Sequence, residues 1–116
     1  MSNKKSKHIG KIGWCDSHIL GLSRGHYVYI RKVKNGKCDV NTFTGIEDRN
    51  YLIDLEKVLK TKTGEIYPIP KCDLSLPRFS GIDKRVIRNI SIHDIKYKGY
   101  HKLKNRHKHY INKFMK

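Results

Sequence analysis

The run His26-Tyr27-Val28-Tyr29-Ile30-Arg31-Lys32-Val33, then Lys34-Asn35-Gly36-Lys37, then Cys38-Asp39-Val40-Asn41-Thr42-Phe43-Thr44, constrains the fold more than any other feature of the chain. Both flanking runs are rich in β-branched and aromatic residues, which suit a pleated, half-buried surface. Asn-Gly between them fits a two-residue type I′ turn, whose central residues need positive φ. The segment predicts a β-hairpin. Period-two alternation sets Tyr27, Tyr29 and Arg31 on one face and Val28, Ile30 and Lys32 on the other.

The remaining segments are shorter signals. Residues 13–22 show no clear period and hold the only tryptophan, Trp14, which reads more readily as a packing residue than as a base stacker. In 51–60, Leu52, Leu55, Val58 and Leu59 fit one helical face, with a strand-like crossover as the alternative. The stretch Glu65-Ile66-Tyr67-Pro68-Ile69-Pro70 reads as extended, because a residue before proline is pushed out of helical space, and its prolines confine it to a sheet edge or a loop. Residues 76–81 read as an irregular connection. Ile82, Val86, Ile87, Ile90, Ile92 and Ile95 then predict a strand and a short turn.

At the C-terminus, Leu103, His107, Tyr110, Ile111 and Phe114 share a helical stripe, while Lys102, Lys104, Arg106, Lys108 and Lys113 mostly lie off it. That is the pattern of a basic amphipathic helix. The chain thus divides into a basic flexible arm (1–12), a mainly β domain (13–100) and a basic helix (101–116), and the β fold is expected to be complete before the helix begins. At 116 residues there is room for one modest core.

Charge narrows the function. The 26 Lys and Arg against 10 Asp and Glu give a net charge of +16. Residues 1–37 carry nine bases and one acid, and 77–116 carry twelve bases and two acids, so the excess sits at the two ends. Such a lopsided balance costs self-repulsion, and counterion release from phosphates is the usual compensation. A polyanion partner is expected, nucleic acid first. An anionic membrane surface and plain solubility are the alternatives. No apolar run approaches the roughly 20 residues of a membrane span, and no apolar core follows the basic start as a secretory signal requires. Cys15, Cys38 and Cys72 are odd in number and widely spaced, which speaks against a disulfide framework and for a reducing cytoplasm.

Metal and cofactor chemistry are not expected. Cys15 and His18 lack a second Cys/His pair at finger spacing, and His101, His107 and His109 stand among lysines that repel a cation. No phosphate-binding glycine loop, dinucleotide fingerprint or nucleophile elbow is present. Histidine can instead serve acid–base cleavage of RNA by deprotonating the 2′-hydroxyl. His26, at the head of the first hairpin strand, is the candidate; the tail histidines suit phosphate contact. Tyr27 and Tyr29, beside Arg31, form a candidate base-stacking face, and Lys102, Lys104, Arg106 and Lys108 are candidate phosphate contacts. Packing in a small β core is the alternative for the tyrosines.

Three segments, in order, carry a resemblance to a known family: Ser23-Arg24-Gly25-His26-Tyr27-Val28-Tyr29, Asp39-Val40-Asn41-Thr42-Phe43-Thr44 and Gly81-Ile82-Asp83-Lys84-Arg85-Val86-Ile87. They resemble the opening "RGD-V-Y" strand, the threonine strand and the "T-IDK-RL" segment of the MazF/PemK toxin endoribonucleases. The three segments together span 20 of the 116 residues. It implies a small SH3-like barrel with helices, and metal-independent cleavage of single-stranded RNA. For partners it implies RNA or another nucleic acid, an acidic antitoxin protein and a second copy in a homodimer. By motif position Thr44 takes the threonine role at the transferring phosphate. The strand that carries the family's catalytic arginine has no counterpart here, and His26 stands where the family has an acid. A guanidinium must then come from Arg24, Arg85 or Arg31, in that order of expectation.

The sequence therefore predicts a mainly β, SH3-like small barrel with a C-terminal basic helix. Two functions follow from it: an endoribonuclease of this kind, or a non-catalytic nucleic-acid-binding regulator or inhibitor on a similar barrel, either one carried by a phage or plasmid.

Overall fold

A computed structural model describes residues 8–70, 78–97 and 105–114, and for Asn105, Arg106, Lys108 and Asn112 it describes the backbone alone. Asn35 and Gly36 take φ of 52° and 75°, the double positive φ that a type I′ turn needs. They join β2 (His26–Lys34) to β3 (Lys37–Gly45), paired antiparallel from Lys34↔Lys37 to Val28↔Thr42. Around this hairpin lie β1 (Ile12–Cys15), β4 (Ile66–Ile69) and β5 (Ser80–Ser91), in one antiparallel sheet of order β1-β2-β3-β5-β4. Short helices α1 (Ser17–Leu20) and α2 (Leu55–Lys62), a 3-10 turn at Ile92–Asp94 and α3 (Asn105–Phe114) complete the described elements.

The protein is mainly β, as expected, but the sheet does not close into a barrel. The outer side of β1 is taken by the segment after the 3-10 turn: Trp14 N–H donates to Lys96 O at 2.7 Å, and Lys96 N–H to Trp14 O at 2.8 Å. At the far edge, β4 carries Pro68, which has no N–H for a ladder, in keeping with its edge position.

Both faces of the sheet are covered, so β2 buries three consecutive residues, Val28, Tyr29 and Ile30. Tyr29 joins Ile12, Phe43, Ile69 and Ile82 on one side, under Ile111 of α3. Val28 and Ile30 join Cys15, Cys38, Val40, Ile90 and Ile95 on the other, with Leu20 of α1. The alternation read from the sequence thus assigns these three residues correctly. The stacking role for Tyr29 does not hold: its side chain is 4% exposed, because α3 lies over that face.

α3 is integral to this core. Ile111 and His107 are buried, Phe114 packs against the same cluster, and the Tyr67 hydroxyl lies 3.1 Å from His107 Nδ1. Tyr110, expected on the apolar stripe, is exposed. Leu103 lies outside the described residues.

α2 settles the open choice in favour of helix. Asp54 caps it, accepting from Glu56 N–H at 3.0 Å and Lys57 N–H at 3.4 Å. Yet the helix buries no residue fully, Leu55 and Leu59 stay exposed, and Leu52, expected on the same face, lies exposed before the helix begins.

The Asp83-Lys84-Arg85 run forms a bulge. Asn41 pairs with Val86 and Phe43 with Ile82, so three residues of β5 face the single Thr42 of β3. The fully buried Asn41 amide fills the gap, its Nδ2 donating to the carbonyls of Asp83 (3.1 Å), Lys84 (3.4 Å) and Arg85 (3.2 Å). Backbone carbonyls freed by the bulge are satisfied by a side chain rather than by the ladder.

Candidate functional site

A cleft of about 670 Å³ crosses the end of the sheet where β2 begins and β3 finishes. Side chains from both faces reach it there, because the strands stop and no longer separate the two sides. Arg24, His26 and Tyr27 enter from the head of β2, and Phe43, Thr44 and Gly45 from the tail of β3. The loop after β3 adds Glu47, Asp48 and Arg49, and Arg78 comes from the segment before β5. The hairpin itself brings the two ends together: its ladder runs to Val28↔Thr42, and just beyond it His26 meets Phe43.

His26 is the best-oriented group. Its Nδ1 lies 2.9 Å from the carbonyl oxygen of Phe43. A carbonyl only accepts, so Nδ1 carries the proton and donates, which leaves Nε2 of the neutral ring as the acceptor. This is the tautomer a general base requires. Thr44 stands half-buried at the end of β3, opposite Gly81 of β5.

Arg78 supplies a guanidinium at the same place. Its Cζ lies 4.0 Å from where a Cβ on Gly45 would stand, next to Thr44 in the chain. That Cβ would also meet the Glu47 carbonyl at 2.8 Å, so only glycine lets the chain fold back here. Arg24 and Arg49 are exposed at the cleft, and no side-chain hydrogen bond among the described residues fixes either.

Three carboxylates share the cleft, but each is engaged with backbone N–H groups. Glu47 accepts from Phe79 at 2.8 Å, Asp48 from Asn50 at 2.8 Å and Leu52 at 3.0 Å, and Asp54 caps α2. Against them stand Arg24, Arg49, Lys57 and Arg78. The cleft is therefore only mildly cationic.

The other sequence candidates lie elsewhere. Arg85 is exposed on the β5 bulge, where its backbone N–H donates to Asp83 Oδ1 at 2.9 Å, and it does not line the cleft. Arg31 is half-buried in β2, also away from it. Arg106 and Lys108 belong to α3, whose description at those positions is confined to backbone, and Lys102 and Lys104 lie outside the described residues. Sequence reasoning missed Arg49 and Arg78. Arg78 is brought in by the pairing of β3 with β5, continued by Ile46 N–H donating to Phe79 O at 2.7 Å, and no local motif announces that.

Cys15 and Cys38 offer no nucleophile. Burial pushes the Cys15 thiol up to about 12 and the Cys38 thiol to about 11, so both stay protonated at neutral pH. Among the described residues no group of three or more His, Cys, Asp or Glu is placed to hold a metal ion, and no helix is long and apolar enough to cross a membrane. No protein-family model, curated protein or solved structure matches the chain.

Proposed function

We propose that the cleft binds single-stranded RNA by its phosphate backbone and cleaves it without a metal, as the resemblance to MazF/PemK endoribonucleases implies. The observation that carries this reading is the meeting of His26, with Nε2 left as an acceptor, with Thr44 and Arg78 in one cleft. Nε2 takes the proton of a 2′-hydroxyl as that oxygen attacks phosphorus. The bond to the 5′-oxygen breaks, and this oxygen leaves with a proton from water, giving a 2′,3′-cyclic phosphate and a 5′-hydroxyl. The Arg78 guanidinium and the Thr44 hydroxyl stabilise the charge that builds on the non-bridging oxygens. The family resemblance adds an acidic antitoxin and a homodimer as partners. A reducing cytoplasm suits the two buried free thiols.

The test is incubation of the purified protein with labelled single-stranded RNA in EDTA. Cleavage that disappears in both His26→Ala and Thr44→Ala supports the reading; binding without cleavage defeats it. That second outcome is the non-catalytic regulator or inhibitor. One observation favours it: Arg24 and Arg49 are exposed with nothing among the described residues to fix them, which suits binding better than transition-state stabilisation. Under either reading, affinity should fall steeply with salt, with a slope set by the phosphates contacted.

A further inference from the structure

Trp14 and Tyr27 line one wall of the cleft, and neither has a part in the cleavage chemistry. They are ladder partners across β1 and β2, and their rings meet edge to face, 5.1 Å between centroids at 78°. The next pair in the ladder is Cys15↔His26, so this aromatic corner stands one residue step from the candidate base. We propose that the Trp14–Tyr27 corner is the subsite for an unpaired nucleobase of the strand whose phosphate lies at Thr44 and Arg78; this rests on the reading of the cleft as a nucleic-acid site.

The corner is built to hold its shape. The indole Nε1 donates to Asp16 Oδ1 at 3.0 Å, and Lys96 Nζ holds the other oxygen of that carboxylate at 2.8 Å. The same Lys96 fixes the Trp14 backbone through the two bonds that close the outer side of β1. Gly25 packs on the indole so closely that a Cβ there would come within 2.5 Å of Cζ2, and only glycine lets the chain pass. Trp14 is only partly buried, and a fixed aromatic surface in a cleft that also holds guanidinium groups matches a nucleotide, whose flat ring and phosphate are joined through one sugar. Aromatic rings take a nucleobase by stacking or by edge contact, and both rings of this pair line the cleft. Ser23 and Asn50 add a hydroxyl and an amide to the lining of the same cleft. A paired base is shielded by its neighbours, so the subsite selects single strands.

Trp14 is the only tryptophan in the chain, and its fluorescence reports the corner directly. The full chain is titrated with a ten-nucleotide single-stranded RNA made uncleavable by 2′-O-methyl groups, with the same strand in a duplex, and with inorganic polyphosphate of similar length. The single strand should bind roughly tenfold or more tighter than polyphosphate and change the Trp14 emission, while duplex and polyphosphate leave the emission alone. Tyr27→Leu, checked for unchanged melting, should remove the preference for the single strand and leave polyphosphate affinity as it was. Should Tyr27→Leu not fold, Trp14→Leu, followed by competition against a labelled strand, should lose the preference in its place. Equal affinity for strand and polyphosphate, or tight strand binding with unchanged Trp14 emission, overturns the subsite while the phosphate cleft stands. Failure of every ligand to bind at low salt overturns both.

Discussion

His26 Nδ1–H donates a hydrogen bond to the carbonyl oxygen of Phe43, 2.9 Å away across β2 and β3. This bond joins the first residue of one hairpin strand to the last turn of pleat before Thr44 in the other. It fixes both the ring and its tautomer, so the acceptor nitrogen is chosen by the fold.

The first prediction follows from that tautomer. His26→Gln keeps an N–H for the Phe43 carbonyl but removes the basic nitrogen. Cleavage of single-stranded RNA should fall by about 10²–10⁴-fold, the usual worth of a positioned acid–base group. Affinity for an uncleavable strand should stay within a few-fold. Single-turnover kinetics beside equilibrium binding make the comparison, and a variant that cuts at the parental rate removes His26 from the mechanism.

Arg78 and Arg85 separate on position alone. Arg78 lies over Gly45 in the cleft, whereas Arg85 is exposed on the bulge pinned by Asn41. Arg78→Lys keeps the charge and loses the bidentate fork, so turnover should drop by at least tenfold with binding little changed. Arg85→Lys should cleave at the parental rate. The reverse result would restore Arg85, the second of the three arginines that the sequence offered.

What was legible in the sequence was mostly local. The Asn35-Gly36 turn announces its hairpin because few dipeptides tolerate two positive φ values in succession. That hairpin alone carries Arg24, His26, Tyr27 and Thr44 into one cleft. Pro68 likewise marks an edge strand through the N–H it lacks. The long-range pairings were not legible. Nothing near Arg78 states that its segment will continue the ladder beside Gly45, and nothing near Asp83 states that three residues will bulge over a buried Asn41. Alternation gave the side on which Tyr29 lies but not that α3 would cover it. The apolar spacing of 51–60 left helix and strand both open, and it did not reveal that Leu55 and Leu59 face outward.

Ile111 measures how far α3 belongs to the fold. It is 1% exposed within the cluster of Ile12, Tyr29, Phe43, Ile69 and Ile82. Ile111→Ala leaves a cavity there and should cost about 2–5 kcal/mol in urea unfolding. Tyr110→Ala, on the exposed side of the same helix, should stay within about 0.5 kcal/mol. If Ile111→Ala is equally mild, α3 is an appendage and the sheet folds without it.

The buried thiols weaken the fold at alkaline pH. Cys15 rises from 9.0 to about 12 on folding, chiefly through burial and then through the neighbouring Cys38, Asp94 and Asp16. Cys38 rises from 9.0 to about 11, again through burial first and then Asp39. A raised folded value means that the native state holds its proton where the unfolded chain has lost it. The stabilising contribution is therefore complete below about pH 9 and is lost as pH climbs towards 11 and 12. Melting temperature should decline through that window. Cys15→Ala should flatten the decline, because alanine has no proton to lose and deletes only the sulfur from the site. The same burial shields both thiols from reagents, so alkylation of Cys15 and Cys38 at pH 8 should proceed only at the rate of unfolding. Mapping the modified residues by mass spectrometry reads this directly. Rapid labelling of either one in the native protein would mean that the apolar face on which they sit, with Val28, Ile30 and Val40, is open to solvent.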